Sequence, residues 1–355
     1  MIKDKMSSTT RKQLVTLMLG ALLVLPLITG TATAASAKAK PLAADLVEDG
    51  QLINLTSSRY QKLFYELQEK HGFKRQELDK LFKDVAILRR PLELMDKQWE
   101  SRPWYEYYPR FITGKTINEG RKKLKKHRKL LDRIEKELGV EREIVVAIWG
   151  IESRYGKHKG AFNMFRTLNT MFDAYPRRSD FYREQLINYL LLCRENKIDP
   201  HGITGSYGGA FGQTQFIPSS FREYAVDFDN DNRRDVWASI PDILASIANY
   251  LHRYKWTFKA PIYMDIGKEL KGGKLKEAYK KGRKGLLPWR EVMATQKVPM
   301  IPTPDNREVT IVGLEQKNGT MRYLAGYPNF QAITKWNNSN RYAMAVTKLA
   351  ARFKD

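Results

Sequence analysis

One carboxylate, Glu152, closes the apolar run Ala147-Ile-Trp-Gly-Ile-Glu152. Ile144, Val145, Ile148 and Ile151 precede it at helical spacing, which sets Ile148 one turn before Glu152 on the same face. A carboxylate on a buried helical face tends to keep its proton, because burial disfavours the charged form. That is the state a general acid needs near neutral pH. Its nearest acidic neighbours in sequence are Glu143 and Asp173, so no second carboxylate accompanies it in the motif. The alternative reading is a structural Glu paired with an arginine, Arg154 or one farther away.

A second stretch, Gly205-Ser-Tyr-Gly-Gly-Ala-Phe-Gly-Gln-Thr-Gln-Phe-Ile-Pro-Ser219, sets glycines among the neutral polar side chains Ser206, Gln213 and Gln215. It lacks the Gly-Lys-Ser/Thr ending of a phosphate loop. Neutral hydrogen-bonding groups beside exposed backbone suit a sugar or amide ligand; a plain turn would account for only two or three of the glycines. A third constellation places Asp227, Asp229 and Asp231 at alternate positions, with the Arg233 carbonyl next, like the first half of an EF-hand loop. Asn232 replaces the turn glycine and Ala238 the bidentate Glu. A structural Ca²⁺ and a solvated acidic turn are the two readings. The five histidines show no metal-ligand spacing, and no zinc is expected.

These groups need elements to hold them. Helical periodicity covers 57–99, broken at Gly72, and a strongly basic helix is predicted over 118–138, closed by Gly139. Pro103 and Pro109 exclude a regular helix through the aromatic segment 101–109. Further helices are predicted over 179–196, 245–254 and 339–352, with short strands near 264–267 and 308–314 and turns at Gly267 and Asn318-Gly319. The implied layout is a signal segment at 1–34, a flexible lead-in at 35–50 and a helical domain at 51–138. A helical core at 139–260, a small β-rich insertion at 261–329 and a C-terminal helix at 330–355 complete it. The fold class is α+β, mainly α.

Residues 1–34 combine Lys3, Lys5, Arg11 and Lys12, an apolar stretch from Leu14 to Ile28 and Ala32-Thr-Ala34, the pattern of a secretory signal peptide. The alternative is an uncleaved membrane anchor, and membrane association is expected only in that case. Cys193 is the single cysteine, so no intramolecular disulfide forms and stability must come from a core. Export without disulfides fits a bacterial periplasm. The net charge is +23, of which +20 remains beyond residue 34, where four basic residues and one acidic residue drop out. Such an excess implies an acidic partner surface. For an exported protein that means cell-wall polymer or anionic lipid, not nucleic acid. The basic run 121–129 reads first as a solvated helix face.

Gly150-Ile-Glu-Ser-Arg-Tyr-Gly156 followed by Gly-Ala-Phe-Gly-Gln-Thr-Gln-Phe-Ile-Pro-Ser219 resembles the lytic murein transglycosylases, in particular the membrane-bound lytic transglycosylase B family. Tyr175-Pro-Arg-Arg178, Asp235-Val-Trp237, Ser246-Ile-Ala-Asn-Tyr250 and Asn337-Asn-Ser-Asn-Arg-Tyr-Ala-Met-Ala345 extend the likeness, which runs from about residue 104 to the C-terminus. It implies a lysozyme-like helical core flanked by a helical domain and a small β domain. It also implies cleavage of the β-1,4 bond between N-acetylmuramic acid and N-acetylglucosamine in peptidoglycan without water, leaving a 1,6-anhydromuramyl end. Glu152 would then be the single acid and base, with the muramyl N-acetyl and C6 hydroxyl groups replacing the second carboxylate of a hydrolase. Carried over by motif, Ser206 and Gln215 would line the sugar site and Tyr250 would hold substrate or orient the Glu. Trp336, standing where the best-known member of the family is expected to have Tyr, and Tyr342 would close the groove, with core packing as the alternative for each aromatic. Asp242 would complete the acidic loop. The enzyme would need no cofactor beyond a structural Ca²⁺, act on murein glycan strands and be a monomer. The competing functions are a hydrolytic muramidase and a non-catalytic wall-binding protein.

Overall fold

The structure, a computed structural model, is described for residues 41–96, 102–299 and 307–354. The predicted signal segment lies outside the described residues.

The described residues begin with a 3-10 turn (Ala43–Leu46) that buries Ala43 and Ala44 where a flexible lead-in was expected, and three helices follow: α1 (Ser58–Glu69), α2 (Arg75–Leu81) and α3 (Arg89–Met95). They bury Tyr60, Leu63, Phe64, Leu67, Leu78 and Leu92. Between Pro103 and Pro109 the aromatic segment forms no long helix, only one helical turn, α4 (Trp104–Tyr107), followed by a 3-10 turn. Proline is tolerated at a helix start, and two prolines six residues apart leave room for a single turn.

The basic helix expected over 118–138 is two helices, α5 (Gly114–Lys126) and α6 (Arg128–Leu138), broken at His127. The His127 ring meets the edge of Trp149 at 6.2 Å between centroids, and the chain turns there to follow it. Gly139, at φ 64°, ends α6 in the left-handed conformation that glycine adopts without strain.

Next comes α7 (Arg142–Ser153), which is apolar nearly all round and buries every residue from Ile144 to Gly150. It is packed by α5, α6 and two later helices, as an all-apolar helix requires. Two successive left-handed residues, Arg154 (φ 50°) and Tyr155 (φ 59°), stop it abruptly. Glu152 therefore stands in a final turn, beside a sharp exit of the chain.

A two-stranded ribbon follows, β1 (Phe162–Asn163) with β2 (Thr204–Gly205), separated by the packed pair α8 (Met164–Ala174) and α9 (Ser179–Glu195). α10 (Pro218–Tyr224) lies on α9, and α11 (Ile240–Arg253) lies on α6 and α7.

The small sheet has four antiparallel strands in the order β3-β6-β5-β4: β3 (Tyr263–Gly267), β4 (Leu286–Pro288), β5 (Glu308–Glu315) and β6 (Met321–Gly326). β5 and β6 are joined through Asn318-Gly319, with Gly319 at φ 77°. This segment also holds α12 (Gly273–Lys280) and α13 (Trp289–Gln296), which the sequence reading did not expect, and it has its own core around Ile266, Trp289, Val309 and Tyr327. The chain returns through α14 (Pro328–Trp336) and α15 (Asn340–Arg352), two helices where one was expected; α15 packs along α7. No helix among the described residues is long and apolar enough to cross a membrane.

The glycine-rich loop is held by close approaches. A Cβ on Gly205 would lie 2.4 Å from both the Ala210 carbonyl oxygen and the Met164 sulfur. Backbone cannot yield at that distance. Gly205→Ala is expected to destabilise the fold by about 1–3 kcal/mol, read as a lower midpoint in urea unfolding.

Candidate active site

Glu152 and the glycine-rich loop meet at a cleft of about 620 Å³. Glu152, Ser206, Gln215, Tyr250 and Trp336 all line it. Among the described residues, Glu152 is the one carboxylate that does so.

The elements explain these placements. Ser206 follows β2 directly; its amide donates to the Ala210 carbonyl at 2.7 Å, and its Oγ accepts from the Ala210 amide at 3.0 Å. With that lone pair engaged, its own proton remains to donate. Gln215, held at φ 50°, donates both amide hydrogens to backbone, to the Gly212 carbonyl at 2.8 Å and the Lys159 carbonyl at 3.2 Å. Its carbonyl oxygen is left as an acceptor. The third polar residue of the loop, Gln213, is a brace. It accepts from Trp149 Nε1 at 2.9 Å and donates to the Trp237 carbonyl at 3.0 Å, fixing the loop to α7. Trp336, Tyr250 and Phe216 form one aromatic cluster with centroids 4.6–6.0 Å apart, so Trp336 is a stacking surface backed by packed rings.

The two tyrosines take different parts. Tyr342 does not close the groove: it is 2 % exposed, and its hydroxyl donates to Glu152 Oε1 at 2.5 Å. Burial first, then the charge of Glu152, pushes the phenol well above its ordinary range, so it stays a donor. Tyr250 does not orient the Glu through this bond; its hydroxyl donates to the Lys335 carbonyl at 2.7 Å and ties α11 to the end of α14. Motif matching found both tyrosines but could not tell the two roles apart, because they are set by which helix end each hydroxyl reaches. Arg178, Lys335 and Asn338 also line the cleft and were not singled out as site residues, although Arg178 and Asn338 lie in matched motifs and Lys335 adjoins Trp336.

In the acidic loop, Asp227, Asp229 and Asp242 bring carboxylate oxygens within 4.8 Å of one another. Asp242 is fully buried and accepts from the Phe228 amide at 2.7 Å and the Asp235 amide at 2.8 Å. Its pKa is raised, mainly by burial and further by Asp229 and Asp227, against the pull of those two amides. Asn230 and Asn232 make the left-handed turns, at φ 62° and 69°, a conformation Asn tolerates. Asp231 is not part of the group. Its carboxylate accepts from the Arg233 amide at 2.8 Å and stays at the surface.

The family model described as the transglycosylase SLT domain matches residues 56–351. The chain belongs to this family. It is 31 % identical over 299 residues to the membrane-bound lytic murein transglycosylase B of Escherichia coli, covering 81 % of each chain. Among solved structures it resembles SltB1 of Pseudomonas aeruginosa, with 35 % identity and a TM-score of 0.76 over 84 % of this chain and 97 % of that one. It also resembles Escherichia coli Slt35 in complex with calcium, with 30 % identity and a TM-score of 0.73 over 84 % and 93 %. SltB3 of Pseudomonas aeruginosa in complex with NAG-anhNAM-pentapeptide matches at 31 % identity and a TM-score of 0.69, over 84 % and 80 %. The protein is thus a lytic transglycosylase of peptidoglycan with a mainly helical, lysozyme-like fold.

Removing the Tyr342 hydroxyl deletes a charge-assisted hydrogen bond and little packing. Tyr342→Phe is expected to lower kcat about tenfold to a hundredfold with KM little changed, measured as release of soluble fragments from purified murein.

Proposed function

We propose that this transglycosylase cleaves the β-1,4 bond between N-acetylmuramic acid and N-acetylglucosamine without water, with Glu152 as its single acid and base. The observation that carries the reading is the lone carboxylate of the cleft, its Oε1 held by Tyr342. A glycosidase that hydrolyses this bond normally sets a second carboxylate about 5–9.5 Å from the first. Asp173, Asp180 and Asp199, the acids after Glu152 that the fold could have brought back to it, do not line the cleft. Asp173 faces Arg59 at 3.9 Å, Asp180 is exposed on α9, and Asp199 lines a separate cavity with Phe73 and Leu190.

The substrate then supplies the second group. Protonated Glu152 gives its proton to the glycosidic oxygen as the bond to the muramyl anomeric carbon breaks. The neighbouring N-acetyl oxygen stabilises the positive charge that develops at that carbon. The muramyl C6 hydroxyl attacks the carbon, and its proton passes to the Glu152 carboxylate. The 1,6-anhydro ring closes and the acid is regenerated, with no water consumed. Ser206 as donor and the Gln215 carbonyl as acceptor suit the sugar hydroxyl and amide groups, and Trp336 offers a stacking face. The anhydromuramyl ligand named for the related SltB3 supports this product.

Two further readings belong to the proposal. The basic and apolar N-terminal pattern supports export to the periplasm, where the substrate lies. Asp227, Asp229 and Asp242 would hold a structural Ca²⁺, whose charge would offset their mutual repulsion and pin the 227–242 loop against α11.

Digestion of purified murein, with products weighed by mass spectrometry, tests the chemistry. Muramyl ends lighter by one water are expected, and reducing ends would show hydrolysis instead. Glu152→Gln is expected to abolish release of either product. For the metal, millimolar Ca²⁺ is expected to raise Tm by a few degrees over a chelated sample, and Asp227→Asn/Asp229→Asn to remove that response.

A further inference from the structure

Glu315, at the last position of β5, lies outside the cleft yet holds two elements that surround the acid's partner. Its Oε1 accepts from Arg341 Nη2 at 2.6 Å, and its Oε2 accepts from the Trp104 backbone amide at 3.1 Å. Arg341 directly precedes Tyr342 in the first turn of α15, and Trp104 opens α4. α4 also carries buried Tyr107, which lies close enough to act on the Tyr342 phenol. A second tie comes from the same small domain: Arg283 donates to Asn338 Oδ1 at 2.5 Å, one residue before the helix cap. That cap is Ser339, whose Oγ accepts from the Tyr342 amide at 3.2 Å.

The first turn of a helix is where its backbone amides lack internal partners and where it frays. Tyr342 sits in that turn, so its phenol is only as fixed as the turn itself. β5 is a suitable anchor because it pairs with β6 along its length, Glu315 itself standing opposite Met321, and with β4 at its other end. The Glu315 and Arg341 side chains are 34 % and 26 % exposed. A half-exposed ion pair adds little to global stability, so its effect should appear in geometry and not in Tm.

We propose that Glu315 is a positioning residue of the transglycosylase reaction, clamping Arg341 and the start of α4 so that Tyr342 meets Glu152 in register. The inference rests on Glu152 being the acid. It gives the small β domain a part in catalysis without any contact with the reacting atoms.

The test measures kcat, KM and the pH–rate profile on murein fragments for Glu315→Ala and Glu315→Gln, each alone and combined with Tyr342→Phe. Glu315→Ala is expected to lose about tenfold in kcat, with KM within about twofold. A donor on a carboxylate favours its charged form, so a loosened Tyr342 should move the alkaline limb of the profile to higher pH. Glu315→Gln, which keeps shape and one acceptor, should show a smaller loss in the same direction. Combined with Tyr342→Phe, neither substitution should cost anything further. Folded variants with full kcat and an unmoved limb would overturn the inference, as would an undiminished loss in the Tyr342→Phe background. If Glu315→Ala does not fold, Glu315→Gln decides. Failure of the underlying reading shows separately, as activity retained by Glu152→Gln.

Discussion

The hydrogen bond from Tyr342 to Glu152 spans 190 positions of sequence, and most of the architecture exists to let it form. A carboxylate at the end of a buried helix is useful to chemistry only if its orientation is fixed before substrate arrives. Here α7 brings the carboxylate to the edge of the cleft and two left-handed residues end the helix beside it. α15 runs along α7 and delivers the phenol from behind. Burial keeps that phenol protonated, so it remains a donor. The cost of burying so many polar groups is met by pairing them: Trp149 with Gln213, Tyr250 with the Lys335 carbonyl, Asp242 with two backbone amides.

The cleft itself is chemically restrained. Apart from Glu152, its polar lining consists of neutral groups and two cations, Arg178 and Lys335. In the proposed reading, such neutral donors and acceptors would meet sugar hydroxyls without competing for the proton of Glu152. Arg178 is seated over Phe181 at 4.1 Å, so its charge is presented on a packed ring and not on a loose tether. The excess of positive charge elsewhere on the chain is spread over helix faces and loops, where it steers without specifying.

How much of this was legible in the sequence depends on how local each cause was. The helix carrying Glu152 was legible because its apolar pattern and its Gly139 boundary are both short-range signals. The loop holding Ser206 and Gln215 was legible because close backbone approach leaves glycines behind. The break at His127 was not, because the apolar stripe continues across it and its ring contact, with Trp149, is remote in sequence. β4 was missed for the same reason: its three residues become a strand only by pairing with Val309 and its neighbours. The alternation Asp227, Asp229, Asp231 suggested three ligands, yet Asp231 is captured by the nearby Arg233 amide, while the remote Asp242 takes its place beside the other two. Periodicity cannot anticipate a side chain that prefers its own backbone.

The order of these parts along the chain has a consequence for how the enzyme comes into being. Glu152 and its loop emerge early from synthesis, whereas the helix bearing Tyr342 emerges only near the far end. A chain that lacks α15 has Glu152 without the phenol that holds it, and an α7 without one of its four packing partners. The arrangement around Glu152 is thus completed only by the last helix of the fold, and the cleft depends on the far end of the chain as much as on the motif that carries its carboxylate.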